Sequence, residues 1–272
     1  MNNYVTQATA ERLVDQLSER DRAILLDLAR VRVLTGDQLG RLHFHELSTG
    51  SRDRTRRRVL ARLVDLQLAA TLERTIGGSR AGSSGLIYSL AIAGQKALPL
   101  LSAEAPGHAQ RQRTPWTPST LFLSHSLAIS GLYVALREEE RAQTLTLRQF
   151  TTEPAAWYPN GSSGFVKPDA YAVVLQGSLE GGVQDSWWIE VDRATESIPT
   201  LKRKLMTYIE FARSGQRGPD FVVPRVLLTV PHDHRLVAVR DLVEALPEPA
   251  RQLILPTLHG RAVPTMITIL RG

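Results

Sequence analysis

The sequence predicts an α+β / α/β chain in two parts. A small helical part ending in a β-hairpin covers residues 1–101, a linker covers 102–118, and a larger mixed-sheet domain covers 119–272. Three observations predict this. Helical periodicity over residues 18–64 gives way to a strand–loop–strand pattern over 68–91. From residue 119 onward, strand-like and helix-like segments alternate. The charge is also divided. Residues 1–113 hold 17 Lys+Arg against 11 Asp+Glu, which is the whole net charge of +6, whereas residues 114–272 hold 16 of each. Such asymmetry points to a polyanion-binding module joined to a neutral one.

The first helix is read in SERDRAILLDLARVR (18–32). Ser18 and Asp21 stand in capping positions, and Ile24, Leu25 and Leu28 form one apolar stripe. The second, TGDQLGRLHF (35–44), begins with Thr35 and has Gln38 three residues on, a capping-box pattern. After the loop HELSTGS comes a third helix, which opens with five arginines in the seven positions 52–58. Like charges one turn apart repel, so the run costs helix stability unless water or an anion compensates it. Val59, Leu60, Leu63 and Val64 give this helix a buried face. Arg54, Thr55, Arg58 and Arg62 fall on the opposite face. Arg56 projects near the buried side, so it is expected beyond the core, at a protruding N-terminal end.

LAATLERT (68–75) and LIYSLA (86–91) read as strands around a flexible Gly/Ser loop that carries Arg80. Helix, helix, basic helix, hairpin is the order of a winged helix-turn-helix, whose third helix enters the DNA major groove. Arg52, Arg54, Thr55, Arg56, Arg57, Arg58, Arg62 and Arg80 are therefore the candidate DNA-binding residues. Guanidinium forks suit both phosphates and guanine edges. The alternative is a solvated basic face. A short helix, AIAGQKALPLL (91–101), precedes the Pro-rich linker, and the domain boundary falls near residue 113.

The second part reads as a long helix (119–142), then strands at TLTLRQF (144–150), FVKPDAYAVVL (165–175) and SWWIEVDRA (186–194). A helix follows at 197–215, a strand at FVVPRVLLTV (221–230), a helix at 234–246 and a last strand at TMITIL (265–270). Asp169 follows Pro168 at a strand start. Glu190 and Asp192 lie two apart at the end of the next strand, so they share one face. One carboxylate from each of two neighbouring strands makes a hard-oxygen site suited to Mg²⁺ or Mn²⁺, with Asp169 and Glu190 as the candidate metal ligands. Such a metal polarises a phosphodiester and activates water. The PD…ExD spacing and the αβββαβ order resemble the PD-(D/E)xK, or restriction-endonuclease-like, nucleases. The chain departs from that pattern where the lysine is expected, because Asp192 stands there. Lys202 and Lys204 on the next helix are candidates to supply the ammonium, and Glu153 to supply a third carboxylate. Ordinary ion pairs with Arg193, Lys202 or Lys204 are the alternative role for these acids.

Other chemistries find little support. There is no cysteine, hence no thiol nucleophile, thiolate metal site or disulfide, which fits a reducing cytoplasm. No nucleophile elbow and no glycine-rich phosphate loop is visible. His232-Asp233-His234 follows a strand and Pro231 and reads as a helix cap, and His125 reads as a histidine within a packed helix. Of Trp187 and Trp188, at least one is expected in the core. The start lacks a basic-then-apolar signal, and the apolar stretch LFLSHSLAISGLYVAL is interrupted by serines and His125 and reads as too short to span a bilayer. The expectation is a cytoplasmic protein with no membrane partner.

The basic helical part, FLSHSLAISGLYVAL, TTEPAAWYPNG…VKPDAYAVV and WWIEVDRATESIPTLKRKLMTYIEF together resemble the replication-relaxation family over about residues 15–230. IEVDRATES, with Lys204 and Tyr208 downstream, is the most specific part. The resemblance implies a protein of a bacterial plasmid or integrative mobile element, mainly in Gram-positive lineages, acting in plasmid replication and DNA relaxation. By position, Glu153, Asp169, Glu190, Asp192 and Lys204 match the pattern's polar positions. The expected reading is a double-stranded DNA-binding protein whose nuclease-like domain is catalytically degenerate, its lysine being displaced. An active Mg-dependent nuclease or nickase is one alternative. A transcriptional regulator whose second domain dimerises or senses a partner is another. Double-stranded DNA is the expected partner, and replication or conjugation proteins are the further partner class. A homodimer fits helix-turn-helix binding to paired half-sites, but no coiled-coil seam fixes it.

Overall fold

A computed structural model describes residues 6–75, 85–101, 119–178 and 180–271. The chain divides into two compact units, Met1–Val134 and Ala135–Gly272. Helices and a mixed five-stranded sheet make it an α+β protein.

The first unit opens with α1 (Gln7–Asp15), which the apolar pattern had not signalled. Thr6 caps it by accepting the Thr9 N–H. In α2 (Glu19–Val31) the predicted capping box is made by Ser18 and Asp21, and in α3 (Gly36–His43) by Thr35 and Gln38. The arginine run lies in α4 (Thr49–Asp65). β1 (Leu34–Thr35), β2 (Ala69–Thr75) and β3 (Leu86–Leu90) form an antiparallel sheet in the order β1-β3-β2. Ile24, Leu25, Leu28, Leu39, Leu60 and Leu63 are buried between the helices. Each such side chain contributes about 1.5–3 kcal/mol by leaving water. At Gly94, α5 (Ile92–Leu101) passes close to the backbone just before β2. A Cβ there would meet the Leu68 carbonyl oxygen at 2.0 Å, so only glycine fits.

α6 runs over Thr120–Arg141. Its residues 120–134 belong to the first unit, although the sequence grouped them with the second. Ser130 donates to the Val33 carbonyl at 2.6 Å, Tyr133 to Asp27 at 2.5 Å and Gln38 to the Leu127 carbonyl at 3.3 Å. At 22 residues α6 is long and apolar enough to cross a membrane by length and composition, which corrects the expectation that the stretch is too short. Half of its apolar window is buried inside the chain, as in a core helix.

In the second unit the sheet order is β10 (Ile254–Leu258), β9 (Arg225–Val230), β8 (Val183–Val191), β7 (Ala170–Gln176) and β4 (Thr146–Thr152). β4, β7 and β8 form an antiparallel meander. α7 (Ile198–Arg213) then carries the chain to β9, which runs parallel to β8. α8 (Asp233–Glu244) and α9 (Ala250–Leu253) lead to β10, parallel to β9. One core joins Trp188, Val226, Leu228 and Ile254 of the sheet to Leu201, Leu205, Tyr208 and Phe211 of α7 and to Leu236, Val239 and Val243 of α8. Both Trp187 and Trp188 are fully buried.

Two predicted strands are corrected. FVKPDAYAVVL is split, with β6 (Phe165–Val166) pairing with β5 (Tyr158–Pro159) in a small hairpin, while β7 begins only at Ala170. Pro168 has no N–H for a ladder, so the pairing breaks there. TMITIL is not a strand but part of α10 (Ala262–Leu270). Its β-branched residues suggested a strand, yet Ala262, Val263, Met266 and Leu270 recur at helical spacing, and these are the residues buried. The last strand is instead ILPTL, whose Pro256 is tolerated because β10 lies at the sheet edge.

Candidate functional site

The start of α4 is electrostatically uncompensated. Ser48 at its N-cap makes no side-chain bond, and the first turn holds no acidic residue. A helix N-terminus already carries partial positive charge, so arginines there add like to like. The structure sorts these arginines by role. Arg54, Arg57 and Arg58 are exposed, and Arg57 also donates to the Asp53 carbonyl at 3.2 Å. Arg52 and Thr55 are half-buried, and Arg52 donates to the Leu47 carbonyl at 3.4 Å.

Arg56 does not protrude. It is 3% exposed, its guanidinium lies against Gly40 of α3 and it pairs with Asp53 at 3.2 Å. The stripe of Leu60 and Leu63 extends one turn further toward the helix start than the sequence suggested, and Arg56 fills that position. Arg62 is committed as well. It donates to both oxygens of Asp21 at 2.6 Å, tying α4 to the start of α2. Burial would raise the Asp21 carboxyl, but Arg62 and the Ser18 bonds outweigh it and hold it below the usual range. Arg80 lies outside the described residues.

The second unit gathers charge of both signs at the end of β8. Asp169, just before β7, is pinned across the ladder. Its backbone N–H donates to the Ile189 carbonyl at 3.0 Å, and its Oδ2 accepts the Val191 N–H at 2.7 Å. Glu190 projects from β8 toward α7, where Lys204 and Tyr208, four apart, lie on one helix face. The Glu190 carboxylate receives Lys204 at one oxygen and the Tyr208 hydroxyl at the other. Lys204 Nζ is also 3.5 Å from Asp169 Oδ1. Glu190 is 2% exposed and Asp169 6%.

The remaining candidates separate from this cluster. Asp192 faces the same helical layer, but its carboxylate accepts Arg235 of α8 at 2.6 Å and the Ala194 N–H at 2.8 Å. It closes a loop there rather than standing in for a lysine. Lys202 is exposed, two positions from Lys204 and so turned well away from it around the helix. Glu153 is half-buried, and its backbone N–H donates to the Asp169 carbonyl at 3.0 Å. His232 caps α8 by accepting the Arg235 N–H at 3.2 Å, as its position after Pro231 suggested. Two partners were missed. Arg235 lies 43 residues from Asp192 and Asp21 lies 41 from Arg62, and no local spacing signals such pairs.

Burial raises the Glu190 carboxyl to about 8, with the Asp169 charge adding to it and Lys204 and Tyr208 opposing it. For Lys204, burial lowers the ammonium but the charges of Glu190 and Asp169 outweigh it, so it is raised. Tyr208 is held well above its usual range by burial and by Glu190. Lys204 is thus held cationic and Tyr208 protonated beside a Glu190 carboxyl raised to about 8.

Asp169 and Glu190 are held by protein partners and do not form an open ligand set for Mg²⁺ or Mn²⁺. A hard cation needs several free oxygen ligands. Here the Lys204 ammonium occupies the point that the two carboxylates share, Val191 takes one Asp169 oxygen and Tyr208 takes one of Glu190. Among the described residues no group of three or more His, Asp or Glu side chains gathers around a common point.

A family model for replication-relaxation proteins matches residues 25–226, a span that includes α4, Asp169, Glu190 and Lys204. The chain belongs to the replication-relaxation family. No curated protein and no solved structure matches it.

Proposed function

We propose that this chain is a double-stranded DNA-binding protein acting in the replication or relaxation of plasmid or integrative-element DNA. Its first unit works as a winged helix, and its second is a nuclease-like domain whose acidic site is closed by Lys204. The observation that carries the reading is the outward row of Arg54, Arg57 and Arg58 on a helix start that holds no compensating charge in its first turn. The sequence of α2, α3, α4 and a hairpin supports α4 as the recognition helix, its first turns reaching phosphates and base edges. The meander β4-β7-β8, the crossover α7 and the parallel β9 support the nuclease-like reading of the second unit. A homodimer on paired half-sites and a cytoplasmic location go with it.

The test is duplex binding by fluorescence anisotropy across a salt series. Wild type is expected to lose affinity steeply with salt. Arg54→Ala with Arg58→Ala should weaken binding and flatten the salt slope by about 2, one for each lost phosphate contact. An unchanged slope would remove α4 from the interface.

Catalysis is the second reading, favoured by the approach of Lys204 to both acids from α7, which brings an ammonium to the place where the strand sequence lacks one. Supercoiled plasmid with Mg²⁺ or Mn²⁺ separates the two. A closed cluster leaves the plasmid intact, whereas nicks that disappear in Glu190→Ala would make the protein a nuclease.

A further inference from the structure

The outward face of the β5–β6 hairpin is unusual for so small an element. Register pairs Tyr158 with Val166 and Pro159 with Phe165, and continuing it sets Trp157 opposite Lys167. Alternation then sorts the side chains. Tyr158 and Val166 face inward, where Tyr158 packs edge-on against Phe211 at 6.0 Å. Trp157, Pro159, Phe165 and Lys167 face outward. Trp157 is 37% exposed and Phe165 50%. Lys167 Nζ lies 4.7 Å from the Trp157 ring centroid.

This face holds two large aromatic residues in water with a cation beside them. None of the four outward residues is acidic. The hairpin is also anchored from outside, because Gln216 donates to the Asn160 carbonyl at 2.8 Å, so the aromatic residues stand on a fixed support. Two residues beyond Lys167 the chain reaches Asp169, which places the face beside the carboxylate–lysine cluster.

We propose that this hairpin face is a stacking platform for unpaired bases of a single DNA strand, with Trp157 and Phe165 taking the bases and Lys167 the backbone. Flat aromatic surface beside cations is the chemistry by which single strands are held without sequence preference. Duplex DNA does not offer it an open base face. The proposal deepens the DNA-binding reading and rests on it for its biological sense, but it concerns a different surface from α4.

The full chain would be titrated by anisotropy with labelled oligo(dT) and, separately, with a labelled duplex. Trp157→Ala with Phe165→Ala is expected to weaken oligo(dT) binding by between about 5-fold and about 150-fold per lost stacking contact while leaving duplex binding unchanged. Trp157→Phe should retain most of the affinity, and Lys167→Gln should lose affinity mainly at low salt. Arg54→Ala with Arg58→Ala should do the reverse, lowering duplex binding more than oligo(dT) binding. Failure of the duplex arm alone would overturn the winged-helix reading and leave the platform standing. The platform is overturned if the aromatic variant binds oligo(dT) like wild type. It is equally overturned if that variant changes the sedimenting mass from dimer to monomer, which would make the face a contact between copies of the chain.

Discussion

The charged stretch of α4 and the charged cluster under α7 are opposites in design. On α4, cations of one sign stand in water, and the helix start adds to their field instead of cancelling it. Under α7, two carboxylates and a phenol are buried, and the ammonium of Lys204, 32% exposed, reaches in to satisfy both acids. Exposed like charges cost a little stability and remain available to an outside anion. Buried opposite charges are costly to separate and leave little for a ligand. The first arrangement is the one the proposed DNA-binding reading uses; in the second the charges satisfy one another inside the fold.

The largest effect should come from breaking this cluster. Lys204→Met leaves Glu190 and Asp169 facing each other without their cation; because Lys204 is 32% exposed, solvent screening discounts the loss from the about 3–5 kcal/mol of a fully buried pair. Denaturant unfolding should show the loss, and it should grow as pH rises through about 8, where Glu190 ionises in the wild type but keeps its proton in the variant that lacks Lys204. A loss that does not vary with pH would mean that Lys204 acts through packing alone.

The pH dependence of the wild-type protein follows from the same group. Glu190 has a folded pKa raised to about 8, well above the ordinary carboxyl value. The folded state therefore binds more protons than the unfolded state across that interval, and stability falls as pH rises through it. Glu190→Gln should remove this slope while keeping a hydrogen-bonding group for Tyr208. If the slope persists in the variant, another group causes it.

The two regions also differed in how far the sequence revealed them. The caps of α2 and α3 and the basic character of α4 were legible because each depends on residues three or four apart. The acid positions of the cluster were legible from strand alternation around Pro168-Asp169 and Glu190. What closes the cluster was not, since Lys204 and Lys202 are equivalent in composition and only the helix face chooses between them. Arg235 and Asp21 were invisible for a related reason, because their partners are distant in sequence. TMITIL misled because β-branched side chains favour strands, whereas burial of every third or fourth residue against β8 and β10 decides for a helix.

Within α4, Arg56 and Arg58 should answer oppositely. Arg56→Ala removes a buried side chain that covers Gly40 and pairs with Asp53, and should lower stability by about 1–3 kcal/mol. Duplex affinity of the folded protein should hardly change. A large affinity loss with unaltered stability would return Arg56 to the interface.

Arg58→Ala carries the smallest stability change and the most telling sign. Arg54 and Arg58 are four apart and both exposed, so they repel across one turn. Removing one relieves that repulsion and places a better helix former on the surface, so thermal unfolding should shift upward by the equivalent of about 0.2–0.5 kcal/mol. The same change should weaken duplex binding. A residue whose loss stabilises the fold and harms binding is kept for its partner. A variant that instead loses both stability and affinity would show that Arg58 supports the helix, and the contrast between the two charged regions would then fail at its outward side.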